Sequence, residues 1–144
     1  MVRTRLTTGG LAEPVVADTA KSLSKMGHRV ILLAWDRIAK GEETITTDWG
    51  TIWKYQEDCS LNNPLAFARK LPGFLRWSTW QILAFQNIEK DIILHYHDLD
   101  TLIAGVFTSK LTELPLVYDS HENYPGLVKG AISSRGARFL HKME

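Results

Sequence analysis

Gly27-His28-Arg29-Val30-Ile31-Leu32-Leu33-Ala34-Trp35 sets a helix stop directly before an unbroken apolar run. Glycine is the residue best able to end a helix in the left-handed conformation. A run without polar alternation reads as a strand covered on both faces. Upstream, Val16, Ala20 and Leu23 recur at i, i+4 and i+7 behind Pro14, which suits the first turn of a helix. Helix, stop and buried strand make half of an α/β unit.

Reading outward, Met1 to Ala12 is polar and glycine-rich, with Arg3 and Arg5 beside its few apolar positions. It predicts an irregular segment or a degenerate first strand with at best one buried face. Thr44 to Thr47 and Thr51 to Tyr55 are β-branched and aromatic around Asp48-Trp49-Gly50, which predicts a hairpin or two short strands. Asn63-Pro64 starts a helix and Pro72-Gly73 breaks it, so a second helix is expected from Phe74 to about Glu89. Asp91-Ile92-Ile93-Leu94-His95-Tyr96-His97 reads as another buried strand. Leu99, Leu102, Ile103, Val106 and Leu111 keep helical spacing up to Pro115, Leu116-Val117-Tyr118 is a third buried strand, and a basic helix follows from Lys129. The expected architecture is α/β: a mostly parallel open sheet with helices on both faces, occupying residues 13–144.

Composition agrees with one globular domain: 144 residues, 44% hydrophobic and 23% charged. A formal net charge of +1 argues against a dedicated nucleic-acid binder, whose phosphate contacts need a clear basic excess. The single cysteine, Cys59, rules out an internal disulfide and a multi-cysteine zinc site, and points to a reducing compartment. Met1 to Gly10 lacks the apolar core of a signal peptide and no run is long enough to span a bilayer, so a cytoplasmic placement is expected.

Ligands in open α/β sheets bind beyond the carboxyl ends of the strands. Two such ends are rich in chemistry here: His95-Tyr96-His97-Asp98-Leu99-Asp100, and Tyr118-Asp119-Ser120-His121-Glu122-Asn123-Tyr124-Pro125. Adjacent strands would turn both toward one crevice. Each residue also has a plainer reading. Asp98 suits a helix N-cap and Asp100 a first turn, where negative charge favours the macrodipole. His95 lies deeper in its strand and reads as a core histidine, while His97 and His121 sit at strand ends and read as functional. Asp119 could accept backbone N–H groups in its turn, whereas Glu122 has no structural partner evident in the sequence.

His-x-His followed by aspartates can hold zinc. A metal-dependent hydrolase using His95, His97, Asp98 and Asp100 is therefore an alternative, although Leu99 stands where the two-metal pattern His-x-His-x-Asp-His needs aspartate. There is no phosphate-binding Gly-x-x-x-x-Gly-Lys and no Gly-x-Ser-x-Gly elbow, and Gly9-Gly10 alone is no dinucleotide fingerprint.

Glu13-Pro14-Val15-Val16, then Gly27-His28-Arg29-Val30 running into Ala34-Trp35-Asp36-Arg37, resembles the opening of family 4-like glycosyltransferases. His97-Asp98-Leu99-Asp100-Thr101-Leu102 is similar to the second block of that family, and Tyr118-Asp119-Ser120-His121-Glu122 with Tyr124-Pro125 to the third. The three blocks fall in register over residues 13–125. The resemblance implies the Rossmann-like amino-terminal half of a two-domain (GT-B) enzyme. That half holds a glycan or lipid-linked acceptor, while a carboxyl-terminal domain binds the nucleotide-sugar, with retention of configuration and no metal or other cofactor. Carried over by residue, His121 would reach the donor side and His97, Asp98 and Asp100 would line the acceptor side. Asp119, Glu122 and Tyr124 belong to the same binding rim.

Two departures from the family stand out. The apolar first strand is replaced by Met1-Val2-Arg3-Thr4-Arg5-Leu6, and the 144 residues contain no donor-binding domain. The chain is thus expected to be inactive alone, being either a truncated enzyme or one half that needs a separately encoded partner, with a non-catalytic binding module as the alternative. Arg69, Lys70 and Arg76 interleave with Phe67, Phe74, Trp77 and Trp80. Such a mixture suits peripheral contact with an anionic inner-membrane face. The alternative is that the aromatics pack on the sheet and the cations are solvated.

Overall fold

A computed structural model of the chain describes residues 1–3, 12–38, 43–59 and 64–120. They form β1 (Val2–Arg3), α1 (Pro14–Lys25), β2 (Val30–Asp36), β3 (Thr44–Thr46), β4 (Gly50–Gln56), α2 (Pro64–Gln86), β5 (Leu94–His97), α3 (Leu99–Thr112) and β6 (Leu116–Asp119). One sheet runs in the order β3-β4-β2-β1-β5-β6. β4, β2, β1, β5 and β6 pair in parallel, and β3 pairs antiparallel with β4 through the hairpin at Asp48-Trp49. The α/β expectation holds, but the sheet is mixed because β3 folds back as an antiparallel edge.

β2 carries the packing on both faces. Val30, Leu32 and Ala34 join Val16 and Ala20 of α1 and Ile52 of β4 in one core. Leu33 and Trp35 point the other way, into a core with Phe74 and Ile82 of α2 and Ala104 of α3. The period of two that splits these residues is the ordinary pleat of a strand. α1 stops as the sequence predicts. Gly27 has φ +90°, and the His28 N–H turns back to the Leu23 carbonyl at 3.1 Å.

β1 is short yet central. Val2 is buried between Leu33 of β2 and Tyr96 of β5, and the Leu33 N–H bonds the Met1 carbonyl at 2.8 Å. One apolar side chain on the core face is enough here, because both neighbouring strands supply the remainder. Residues 4–11 of the expected irregular segment lie outside the described residues.

α2 corrects the expected break. It runs through Pro72 and Gly73 without ending. Pro72 removes one intrahelical hydrogen bond, a cost that packing on both sides of it offsets. Phe67 and Phe74 stack on Trp35 at 5.5 and 5.9 Å between ring centroids, and Trp77 meets Tyr55 at 5.6 Å. These aromatics pack on the sheet, and Trp80 of the same mixture is 65% exposed. Lys70 lies 3.4 Å from Glu57.

β6 also departs from expectation: it is not buried. Val117 and Tyr118 are 47% and 37% exposed, as befits the last strand of the described sheet. α3 approaches β5 closely through Gly105, where a Cβ would lie 2.8 Å from Cγ of the Tyr96 ring. That ring is fully buried, and burial raises the phenol's pKa although a hydrogen bond with Thr108 opposes it. A fixed Tyr96 in turn fixes the two histidines on either side of it.

Candidate binding site at the ends of β5 and β6

β5 alternates. Leu94 and Tyr96 enter the core shared with α2 and α3, so His95 and His97 occupy the opposite face. Their rings stack, with centroids 4.4 Å apart and planes 22° from parallel. β6 runs alongside in register, pairing His95 with Val117 and His97 with Asp119. Asp119 Oδ2 is 3.7 Å from His97 Nδ1 and 3.9 Å from His95 Nε2. The side chain of His97 is wholly buried, that of His95 is 15% exposed and that of Asp119 37%. Depth is thus reversed from the sequence expectation. His97, at the strand end, is shielded by Asp119 and the entry to α3, while His95 faces the half-open Val117.

The turn after His97 is strained. Asp98 has φ +66° and ψ 160°, a region that glycine occupies readily and other residues avoid, yet it is buried. Two contacts hold it there. Its N–H donates to the Asp119 carbonyl at 3.0 Å, extending the β5–β6 ladder by one residue. Thr101, fully buried, donates its hydroxyl to the His97 carbonyl at 2.6 Å and lies 3.1 Å from the Asp98 carbonyl. Asp98 is the N-cap residue of α3, as expected, although its carboxylate makes no capping hydrogen bond. Asp100 lies in the first turn, where its charge complements the helix dipole.

Strain at such a site can be measured. Asp98→Ala keeps the Cβ that makes this conformation costly, and Asp98→Gly removes it. The glycine variant is expected to be the more stable of the two by about 1–3 kcal/mol. Urea unfolding of both variants checks this; equal midpoints would mean the turn is relaxed.

The structure brings His95, His97 and Asp119 together, with Asp98 and Asp100 on the adjoining turn. His121, Glu122 and Tyr124, also expected at this rim, lie outside the described residues, as does the basic helix expected from Lys129. Sequence reading missed a buried pair on the same edge of the sheet: Lys54 Nζ of β4 lies 3.1 Å from Asp36 Oδ2 of β2. Its signal was there to find. Lys54 shares a strand face with Ile52, so an inward-facing cation required a carboxylate on the neighbouring strand.

A cavity of about 570 Å³ opens at the amino ends of the strands among Val30, Ile31, Phe85, Ile92 and Leu94. Its lining is mostly apolar, and it meets the histidine cluster only at His95. The imidazole and carboxylate groups of His95, His97 and Asp119 gather instead toward the carboxyl edge, where open α/β sheets commonly bind ligands. No known protein-family profile matches the chain, and no curated protein does either.

Proposed function

We propose that this chain is the acceptor-side, Rossmann-like part of a retaining GT-B glycosyltransferase, which moves a sugar from a nucleotide-sugar to a glycan or lipid-linked acceptor. Several features support the reading. Counted in chain order, the parallel strands β1, β2, β4, β5 and β6 lie across the sheet as 3-2-1-4-5. That is a doubly wound order in which the winding reverses between β1 and β5, and crevices for ligands form at such points. The observation that carries the proposal is the register pairing of His97 with Asp119 beside that point. It joins the ends of two sequence blocks that resemble the family.

In this reading Asp98 and Asp100 accept hydrogen bonds from acceptor hydroxyls, and Asp119 orients the His97 imidazole. Departure of the nucleotide leaves an oxocarbenium-like centre, which nearby carboxylates and hydrogen-bonding groups stabilise electrostatically. His121, Glu122 and Tyr124 continue the rim toward the donor. In this reading these 144 residues hold the acceptor and the donor pocket lies elsewhere, so by themselves they bind acceptor without turning it over.

The test supplies the purified chain with UDP-glucose, UDP-N-acetylglucosamine or GDP-mannose and a panel of oligosaccharides. Binding is followed by saturation-transfer NMR and sugar transfer by mass spectrometry. Oligosaccharide binding without transfer, weakened by Asp98→Asn and by Asp119→Asn, is expected. Robust transfer by the chain alone, or binding indifferent to both substitutions, contradicts the proposal.

A further inference from the structure

We infer that His95, His97 and Asp119 form a binding site for a divalent transition metal of the zinc type. The inference goes beyond the sugar-transfer reading and does not rest on it. The donor set decides the class of ion: two imidazole nitrogens and one carboxylate oxygen suit zinc, cobalt or nickel, whereas magnesium and calcium take oxygen ligands. The fold, rather than either strand, assembles the set. Residues i and i+2 of β5 put two imidazoles on one face, and the parallel register with β6 brings a carboxylate beside the second.

The distances from Asp119 to the two imidazoles are near those a metal requires. One ligating atom from each residue lies within 4.8 Å of the other two. With bonds of about 2.0–2.1 Å, ligand atoms in a tetrahedral zinc centre are separated by about 3.3–3.4 Å. The Asp119 Oδ2 separations of 3.7 and 3.9 Å exceed this by only a few tenths of an ångström. Closing the imidazole pair needs the rings to turn toward a common point, out of their 22° stack. His97 is fully buried and anchors the site, while the 37% exposure of the Asp119 side chain leaves a path for the ion.

Asp98 and Asp100, the carboxylates that linear spacing nominated for metal, fall outside this group, and Asp119 takes their place. Three ligands among the described residues leave the fourth tetrahedral position to a water, an exchangeable molecule or a further side chain.

The test uses the full chain, stripped with a chelator and dialysed. Isothermal titration with zinc chloride and with magnesium chloride is run on the wild type and on three variants. Cobalt(II) absorption serves as an independent report of coordination. His95→Ala and Asp119→Ala alter partly exposed ligands and avoid the buried His97, while His28→Ala removes an exposed histidine elsewhere. One zinc per chain is expected, with no magnesium uptake and the intense visible bands of tetrahedral cobalt. Affinity should fall more than about tenfold in His95→Ala and in Asp119→Ala and stay unchanged in His28→Ala. Absent zinc binding, wild-type affinity in either ligand variant, or loss of binding in His28→Ala overturns the inference. Each of those results leaves oligosaccharide binding to be judged by its own assay.

Discussion

Lys54→Met is expected to lower the unfolding free energy of the chain by about 3–5 kcal/mol. The Lys54 and Asp36 side chains are 2% and 5% exposed, and their charged atoms are 3.1 Å apart. Removing the ammonium leaves a carboxylate in the core with only the Ile38 N–H, at 3.1 Å, still donating to it among the bonds described. Desolvation of that charge then goes uncompensated. The joint variant Asp36→Asn/Lys54→Met removes both charges and keeps an acceptor for Ile38. It should recover most of the loss, because a buried ion pair adds little over neutral groups of similar shape. Urea unfolding distinguishes the cases. At about 1–3 kcal/mol per molar of urea, the single variant's midpoint should fall by at least about 1 M. A loss below about 1 kcal/mol would mean that water reaches the pair, as at exposed ion pairs.

Trp35→Ala is expected to cost a similar amount, about 3–5 kcal/mol, by a different mechanism. Trp35 has no exposed surface and lies against Phe67 and Phe74, with Tyr55 edge-on at 6.1 Å. Its indole N–H donates to the Glu57 carbonyl at 2.9 Å, tying the exit of β2 to the segment after β4. Arg37 lies over the rings of Trp35 and Phe67 at 5.3 and 4.2 Å. Truncation therefore opens a cavity and strands a carbonyl. Trp35→Phe refills most of the cavity and should lose only about 1 kcal/mol for the missing hydrogen bond. Thermal unfolding reads the difference, and equal losses for Ala and Phe would contradict a packing role for the indole.

These residues show where the sequence was legible. Val30 to Trp35 announced a strand covered on both faces, and β2 is that strand. Gly27 announced a helix stop, and its positive φ is that stop. Such features depend on local chemistry and solvent exclusion, which a single chain segment displays by itself.

Non-local features were harder to read. Pro72 looked like a boundary, but the aromatic packing of Phe67, Phe74 and Trp77 on Trp35 and Tyr55 overrides it. The two residues of β1 gained a central place from their neighbours rather than from their own composition. His95 and His97 were visible as a pair, but which one is buried depends on the register with β6. The partnership of Asp119 with both imidazoles, and of Lys54 with Asp36, exists only across strands. Asp98 looked like an ordinary cap. Its positive φ follows from being held by Asp119 and followed at once by α3.

The most direct test of the central claim is amide chemical-shift mapping on the isotope-labelled chain, titrated with the oligosaccharide that binds best. The proposed crevice predicts the largest shifts at His97, Asp98, Asp100 and Asp119, with little change at Gly27, Val30 and Ile92. Shifts concentrated instead around Val30, Ile92 and Leu94 would place the ligand in the apolar cavity at the opposite end of the strands, and would contradict the account.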